Sequence, residues 1–223
     1  MFWVKFMITI LYEDKHICIC KKEAGMLSEF SEDISSLPNL LRKQLNSDIF
    51  VLHRLDKPVG GAIMYAKNKA SSSAFSKLIQ ENSVKKEYLT VIDGKPNNNE
   101  GELSDLLFRD KQKNKTYTVK RMRKGVKDAK LEYNVIAHNE NHSLVKVKLI
   151  TGRTHQIRVQ FASRKMPVTG DGKYGSKNNK CQTALWSYKL SFIHPFTKEN
   201  ITVECLPDFD KYPWSLFKTE YEN

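Results

Sequence analysis

Short runs of β-branched and aromatic residues, separated by turn-forming residues, recur along this chain of 223 residues. Such runs are typical of strands, and most are too short for helices. Strands are predicted at residues 8–12, 17–20, 50–52, 62–66, 88–92, 133–137, 143–150, 184–193 and 201–205. Before the strand at 62–66, Pro58, Gly60 and Gly61 should force irregular backbone. With 40% hydrophobic residues, the chain can bury a substantial core in one large domain or two subdomains.

Three segments instead space their apolar residues with the period of an amphipathic helix. They are residues 37–45, 69–82 and 155–163. Thr154 is predicted to cap the third helix, which would bring His155 and Arg158 together on one face. Residues 95–130 lack this period, and we expect hairpins and mobile loops there around a short strand at 117–119.

The chain is strongly cationic, with a formal net charge of +12. Such a surface attracts polyanions, and nucleic acid is a better interpretation than an anionic membrane face. The basic stretch from Lys111 to Lys130 could grip RNA or could be a solvated loop. The apolar stretch at residues 1–12 is too short to span a bilayer and makes a poor secretion signal, so we expect a cytoplasmic protein.

The absence of several sequence motifs argues against nucleotide hydrolysis, dinucleotide chemistry and the common hydrolases. The sequence has no phosphate-binding P-loop, no Gly-x-Gly-x-x-Gly, no His-Glu-x-x-His and no Gly-x-Ser-x-Gly. His138 and His142 are four residues apart, but the intervening Asn-Glu-Asn favours a turn, so no metal site is predicted. Four cysteines lack zinc-ligand spacing and are expected to be buried, reduced thiols: Cys18, Cys20, Cys181 and Cys205.

Two polar segments are candidates for a functional site. His53-Arg54-Leu55-Asp56 follows an apolar strand, and residues 152–158 place two arginines, a histidine and an amide at a predicted helix start. Binding and catalytic residues often lie at such positions. The residue types alone leave open a structural ion pair or simple polyanion binding.

The first segment, followed by Gly60-Gly61 and an apolar strand, resembles the catalytic motif of the RluA-type pseudouridine synthases. These enzymes isomerise uridine in ribosomal and transfer RNA. Further matching blocks follow in the family's order at residues 10–14, 22–25, 86–88, 152–158, 167–171, 174–175, 185–190 and 194–195. One four-residue motif is weak evidence, but several blocks in order are specific. The resemblance covers about residues 10–205.

This resemblance implies an α+β fold with a mixed, largely antiparallel central sheet. The sheet would be split into two subdomains with flanking helices, and a catalytic cleft between them would hold the flipped uridine. We interpret residues 1–223 as a single catalytic domain, because there is no room before Ile8 for the small N-terminal RNA-binding domain of many relatives.

The sequence departs from the family pattern at three places. Val59-Gly60-Gly61 stands where relatives usually have Thr-Ser-Gly, and residues 21–25 read Lys-Lys-Glu-Ala-Gly where Asn-Lys-Pro-Ala-Gly is usual. Trp186 replaces a common histidine. These departures bear on substrate positioning more than on the reaction.

The resemblance also implies roles for individual residues. Asp56 would be the catalytic carboxylate, and the Arg158 guanidinium would keep it ionised. Tyr88 would stack against the uracil and could relay the C5 proton. Arg54 could occupy the space that the flipped base leaves. Further RNA contacts are expected from Lys86, Arg153, His155 and Gln156.

Pseudouridylation breaks the bond between ribose C1′ and uracil N1 and joins C1′ to C5. Because this isomerisation has no net redox change, no cofactor and no metal are expected. The expected partner is RNA, a ribosomal or transfer RNA stem-loop with an easily flipped uridine, bound by a monomer with no membrane partner. The alternative is a catalytically inactive RNA-binding or ribosome assembly module of the same fold. A base-excising glycosidase is remote, since the matched blocks supply no second carboxylate.

Overall fold

The computed structural model describes residues 7–222, which form two compact units. Unit 1 contains the residues up to Val84 together with Ser187–Cys205. Unit 2 contains Lys85–Trp186 together with the residues from Leu206 onward. Each unit combines sheet and helix, so the predicted α+β class is confirmed. Residues 1–6 of the apolar stretch considered above lie outside the described residues.

Eleven strands and four α-helices are defined within residues 7–222. The strands are β1 (Ile10–Glu13), β2 (Ile17–Lys22), β3 (Phe50–Val51), β4 (Gly60–Ala66), β5 (Lys85–Asp93), β6 (Glu100–Asp110), β7 (Lys115–Val119), β8 (Val126–His138), β9 (His142–Leu149), β10 (Leu185–Ile193) and β11 (Asn200–Glu204). The helices are α1 (Leu37–Leu45), α2 (Lys69–Gln80), α3 (Gln156–Ala162) and α4 (Lys218–Glu222). Within this part of the chain, no helix is long and apolar enough to cross a membrane.

Unit 1 is built on a sheet in which β2 and β10 flank β4. β1 pairs with β2, β3 pairs with β4 and β11 pairs with β10, all antiparallel. Every residue of β4 is buried, and α2 contacts this strand and buries Phe75. The Asn68 side chain caps α2 by accepting a hydrogen bond from the Ser71 amide (2.8 Å). The buried strand β4 therefore leads from the Asp56 turn into the core.

Unit 2 contains strands in the order β5-β9-β8-β6-β7. Each neighbouring pair in this order is antiparallel. Helix α3 contacts β6 and β7, and Val159 packs with Leu107 and Ala129 in a small core against which Tyr174 lies. The sheet thus supports α3, whose first turn carries Arg158, while Arg153 and His155 of the second candidate segment lie just before the helix.

Two backbone predictions were only partly right. Gly60 and Gly61 belong to β4, where Gly61 pairs with Lys22 of β2, but Gly61 has the irregular backbone that was expected, with a φ of +111° that lets the Ser187 backbone approach closely. A Cβ at Gly61 would lie 2.2 Å from the Ser187 carbonyl oxygen. Residues 100–110 form the long strand β6 instead of mobile loops, because β6 pairs with both β7 and β8.

The cysteine prediction holds for three of the four thiols. All four cysteines are free, and Cys18, Cys20 and Cys205 are buried. Cys181 is only partly buried, which corrects the expectation for that residue. The Cys18 hydrogen bond and burial raise the pKa of the Cys20 thiol well above its usual value, so this thiol is poorly reactive. His138 ends β8 and His142 begins β9, as the predicted turn requires.

Candidate active site

Asp56 lies in unit 1, in the irregular segment that joins β3 to β4. Its side chain is half-buried, and the preceding Leu55 is 6% exposed and anchors the segment in the core. The Val59 amide donates to the Asp56 carbonyl oxygen (2.9 Å), which closes a tight turn around Lys57 and Pro58. The carboxylate is thus carried by a turn whose two ends are both fixed in the unit.

A buried lysine of β2 holds this turn from below. Lys22 is 0% exposed, and its ammonium donates to the carbonyl oxygens of Val59 (2.6 Å), Lys57 (3.1 Å) and Asp56 (3.4 Å). A fourth bond goes to the Glu23 carbonyl (3.3 Å). One cation therefore binds three carbonyls of the turn and fixes the backbone at Asp56.

Two further contacts fix the backbone on either side of Asp56. The Ser28 hydroxyl donates to the Leu55 carbonyl (2.8 Å), and the buried Tyr65 hydroxyl donates to the Ser28 carbonyl (2.9 Å). The Gly25 amide donates to the Lys57 carbonyl (2.7 Å). Buried hydrogen bonds of this kind limit local motion, so the carboxylate is presented from a rigid support.

Lys22 provides a first test of this support. Burial lowers the pKa of Lys22 to about 8 from 10.5, and the charges of Asp56 and Glu23 oppose that shift. Between these values the unfolded chain binds more protons than the folded one, so this group's contribution to stability rises with pH. The free energy of unfolding of the wild type, minus that of Lys22→Met, should rise by up to about 3 kcal/mol from pH 8 to 10.5.

The matched control is Lys21→Met, at the neighbouring position on the same strand. Lys21 pairs with Glu23 at the surface (2.9 Å), where it is 32% exposed. Chemical denaturation across the pH range should show a much smaller change for this surface control than for Lys22→Met. A constant difference for Lys22→Met would contradict a lowered pKa at Lys22.

Arg54, next to the Asp56 turn, is exposed. Its guanidinium pairs with Glu29 (2.8 Å), and both side chains are more than half exposed. An exposed pair of this kind is worth about 1 kcal/mol or less, so Arg54 can leave Glu29 at little cost. His53 has a structural contact, because its Nε2 accepts a hydrogen bond from the Met64 amide of β4 (3.1 Å).

Lys86 and Tyr88 lie in unit 2, two residues apart on β5, and therefore share one face of that strand. Tyr88 is 7% exposed, and burial lowers the pKa of Lys86. The Lys86 ammonium lies over Gly152, 3.7 Å from the position that a Cβ there would take. Gly152, the residue that begins the 152–158 segment, thus leaves room for the Lys86 ammonium of β5.

The same segment turns sharply into α3 at His155. His155 has a φ of +56° and precedes the helix without a side-chain cap. Thr154 does not cap α3, contrary to the sequence prediction, because its hydroxyl accepts from Arg109 (2.9 Å) and its carbonyl accepts from the Thr116 hydroxyl (2.9 Å). These two bonds attach the segment to β6 and β7.

Gln156 supports the loop that precedes α3. It is 3% exposed, and its Oε1 accepts from the Thr151 hydroxyl (2.8 Å) and the Arg153 amide (2.9 Å). Its Nε2 donates to the Lys130 carbonyl (3.1 Å). The Gln156 side-chain amide therefore forms its hydrogen bonds inside unit 2. From the sequence, an RNA contact was predicted for this residue. Arg153 itself donates from Nε to the Asp128 carbonyl (2.8 Å).

Arg158 is buried on α3 in a bidentate ion pair with Asp171. Nε donates to Oδ2 (2.6 Å) and Nη2 donates to Oδ1 (2.9 Å), with side-chain exposures of 5% and 1%. The guanidinium carbon lies 5.1 Å from the centre of the Tyr174 ring. The Tyr174 hydroxyl also contacts His155 Nδ1 (2.8 Å).

The predicted site residues thus fall into two sets. Unit 1 holds Asp56 and Arg54, while unit 2 holds Lys86 and Tyr88 on β5 and Arg153, His155, Gln156 and Arg158 around the start of α3. Among residues 7–222, no cluster of three or more His, Cys, Asp or Glu side chains could hold a metal ion.

Sequence reasoning assigned no role to three residues that shape these sets. Lys22, Asp171 and Tyr174 each stand in a block that resembles the family, but the blocks do not say what the side chains contact. One feature of the sequence pointed to a role for Lys22. It ends an apolar strand and lies on the same face of that strand as the buried Cys18 and Cys20. A charged residue in a buried row needs partners, which predicts a structural role.

Comparison with known proteins agrees with this architecture. Residues 16–163 match the family model described as RNA pseudouridylate synthase. A Bacillus subtilis (strain 168) protein described as an uncharacterized RNA pseudouridine synthase is 34% identical over 207 residues, covering 88% of this chain and 68% of that protein. The ribosomal large subunit pseudouridine synthase C of Buchnera aphidicola subsp. Baizongia pistaciae is 30% identical, with 96% and 70% coverage.

A solved structure shares the fold. The structure of human RNA pseudouridylate synthase domain containing 1 superposes with a TM-score of 0.78, covering 100% of this chain and 98% of that chain at 21% identity. The chain belongs to the RNA pseudouridine synthase family, a family of RNA-modifying isomerases. The resemblance to its RluA-type members is thereby confirmed.

Proposed function

We propose that this protein converts a specific uridine of ribosomal or transfer RNA to pseudouridine, with Asp56 as the catalytic carboxylate. The observation that supports this most directly is the fixed turn around Asp56, three of whose carbonyls are bound by Lys22. A group that must meet one sugar carbon or one base atom gains from such preorganisation. The family relationship supplies the reaction.

In this proposal the remaining residues have separate roles. Arg158 is the cationic partner of the catalytic carboxylate, and Tyr88 stacks on the uracil and takes part in proton transfer at C5. Arg54 replaces the flipped base, since its exposed pair with Glu29 is easily broken. Lys86, Arg153 and His155 contact the RNA, whereas Gln156 holds the loop that carries Arg153 and His155.

The direct test is to map pseudouridines at nucleotide resolution in a strain that lacks the gene. One pseudouridine should disappear, and purified protein should restore it in the corresponding transcript. A transcript that contains only the stem-loop around that uridine should be a sufficient substrate. The protein should modify it as a monomer. If no pseudouridine disappears and none is restored, the inactive RNA-binding module is the better description.

The strands β7 and β8, which both pair with β6, and the turns beside them supply a basic surface for RNA, which we name the basic segment (residues 111–130). It contains nine lysines and arginines but one acidic residue, Asp128. Lys120, Arg121 and Lys124 are all exposed, and Arg123 lies 5.0 Å from the centre of the Phe108 ring. We propose that these charges bind phosphates on either side of the target.

The salt dependence of RNA affinity tests whether the basic segment binds phosphates. Binding of the wild type to its RNA should weaken steeply with salt, because the binding of phosphates by cationic side chains releases counterions. Replacing Lys120, Arg121 and Lys124 by Ala together should reduce the slope of log affinity against log salt by about 1 for each phosphate that the variant no longer binds. Filter binding at several salt concentrations measures this slope.

The control variant removes the same charge from the helices of unit 1. Lys43, Lys69 and Lys77 are exposed, and their triple replacement by Ala should leave the slope close to that of the wild type. Equal slopes for the two triple variants would show that the charges of the basic segment are solvated and do not bind the RNA.

A further inference from the structure

Arg158 is held by a loop of unit 2 that the proposed mechanism does not use directly, residues 167–176. A guanidinium that is almost fully buried is costly unless its donors are matched by acceptors of good geometry. Asp171 supplies two such acceptors at 2.6 and 2.9 Å. The two bonds use Nε and Nη2, so they fix the plane of the guanidinium and the direction of Nη1.

The loop is fixed at both ends by Asp93, the last residue of β5. The Thr169 and Ser176 hydroxyls donate to the two carboxylate oxygens of Asp93, each at 2.7 Å. The Ser176 hydroxyl also accepts from the Gly170 amide (3.1 Å). These bonds tie the two ends of the loop together, and they limit the movement of Asp171 relative to Arg158.

The start of the loop also excludes any side chain at Gly170. Its φ is +80°, and a Cβ there would lie 2.4 Å from the Gln182 carbonyl oxygen. The next residue, Asp171, begins a 3-10 turn, and the Tyr174 amide donates to its carbonyl (3.0 Å). The backbone that carries Asp171 and Tyr174 is therefore determined by close packing and by hydrogen bonds.

Tyr174 supplies the second contact with Arg158. Its ring lies beneath the guanidinium (5.1 Å), a favourable arrangement for a cation and an aromatic face. The hydroxyl accepts from the Thr116 amide of β7 (2.9 Å) and contacts His155 Nδ1 (2.8 Å). Tyr174 thus joins Arg158 to β7 and to the strained residue before α3.

We propose that Asp171 is a positioning residue for Arg158, with Tyr174 as the platform beneath the guanidinium. This inference rests on the proposed function, because it assigns Asp171 its effect through the reaction of Arg158. Asp171 touches neither sugar nor base. It compensates the buried charge and holds Nη1 in the single direction that the reaction requires.

The first experiment compares Asp171→Asn with the wild type on the identified RNA. Asn keeps the shape but turns one acceptor into a donor, so the bidentate pair is lost. We expect kcat to fall by about 10- to 100-fold, the range found when a hydrogen bond that orients a functional group is removed. The KM for RNA should stay within about threefold, since this prediction assigns Asp171 no phosphate contact.

Asp105→Asn is the matched control. Asp105 also pairs with an arginine of unit 2, Arg164 (2.8 Å), but both side chains are partly exposed. This variant should lower the melting temperature without changing kcat by more than about twofold. A similar loss of kcat in both variants would mean that Asp171 matters only for stability, and the inference would be overturned.

A double-mutant cycle tests whether Asp171 acts through Arg158. Lysine keeps the charge of Arg158 but cannot form the bidentate pair. If Asp171 works only through that pair, Arg158→Lys and the double variant with Asp171→Asn should have the same kcat. Independent, multiplicative losses would overturn the inference.

A measurement without catalysis separates this inference from the proposed function. In the wild type the Nε–H of Arg158 should give a distinct, slowly exchanging NMR resonance, and Asp171→Asn should abolish its protection. A wild type that makes no pseudouridine overturns the proposed function and this inference with it. An active wild type with an equally active Asp171→Asn overturns the inference alone. If Asp171→Asn does not fold, Tyr174→Leu should lower kcat about 3- to 10-fold with KM unchanged, and a normal kcat would be the contrary result.

Discussion

Asp56→Asn is expected to lower pseudouridine formation by on the order of 10³-fold or more, the effect typical of losing a principal catalytic group. The substitution removes the charge that attacks or deprotonates and preserves the shape of the side chain. The turn itself should survive, because Lys22 binds main-chain carbonyls there and not the carboxylate. RNA affinity should therefore stay within a few-fold of the wild type.

Quantifying pseudouridine in a synthetic transcript under single-turnover conditions gives the rate, and a binding titration gives the affinity. Asp48→Asn makes the same chemical change at an exposed position of unit 1 and should leave both parameters unchanged. Turnover above a few per cent of wild type by pure Asp56→Asn would disprove the assignment of Asp56.

Arg158→Ala should produce the second largest effect, and it should appear in two measurements. Turnover should fall at least 100-fold, since the proposed partner of the catalytic carboxylate is lost. Stability should also fall, by about 3–5 kcal/mol, because Asp171 would remain buried without its cation. Stopped-time assays and thermal unfolding of the same preparation measure the two losses.

Lys120→Ala is the comparison for Arg158→Ala, since it removes one charge from the basic segment. This variant should raise KM modestly and leave kcat and the melting temperature near the wild-type values. If both substitutions changed kcat and KM in the same proportion, the division between reacting groups and RNA-binding groups would be wrong.

Helices α1, α2 and α3 and most strands could be predicted because their apolar residues follow a simple period, whereas the short helix α4 was not predicted. Helix α1 spans Leu37–Leu45, as its leucine spacing indicates. β6 escaped prediction because Asp105 lies on the same face as the buried Leu103 and Leu107. That carboxylate is partnered by Arg164 and Gln160, and a single sequence does not reveal such long-range pairing.

The candidate site was only partly predictable for a related reason. Residue types and order indicated Asp56 and Arg158, but the partners of these side chains are distant in sequence. Lys22 is 34 residues from Asp56, and Asp171 is 13 residues from Arg158. For Gln156, the residue type and the neighbouring arginines predict an RNA contact, whereas its burial and its hydrogen bonds within unit 2 are not visible in the sequence.

One departure from the family pattern now has a physical explanation. The glycine of the usual Thr-Ser-Gly is retained here as Gly61, where the Ser187 backbone leaves no space for a Cβ. Val59 is 2% exposed and presents its carbonyl to Lys22. The contact of Val59 with Lys22 is therefore made by the main chain and does not depend on the identity of the side chain.

The polypeptide passes between the two units three times, after Val84, Trp186 and Cys205. Neither unit is therefore a continuous stretch of the gene. A fragment that ended at Val84 would lack β10, which flanks β4, and would expose a long apolar edge prone to aggregation. An exchange of N-terminal and C-terminal halves between two such proteins would therefore not transfer either unit intact.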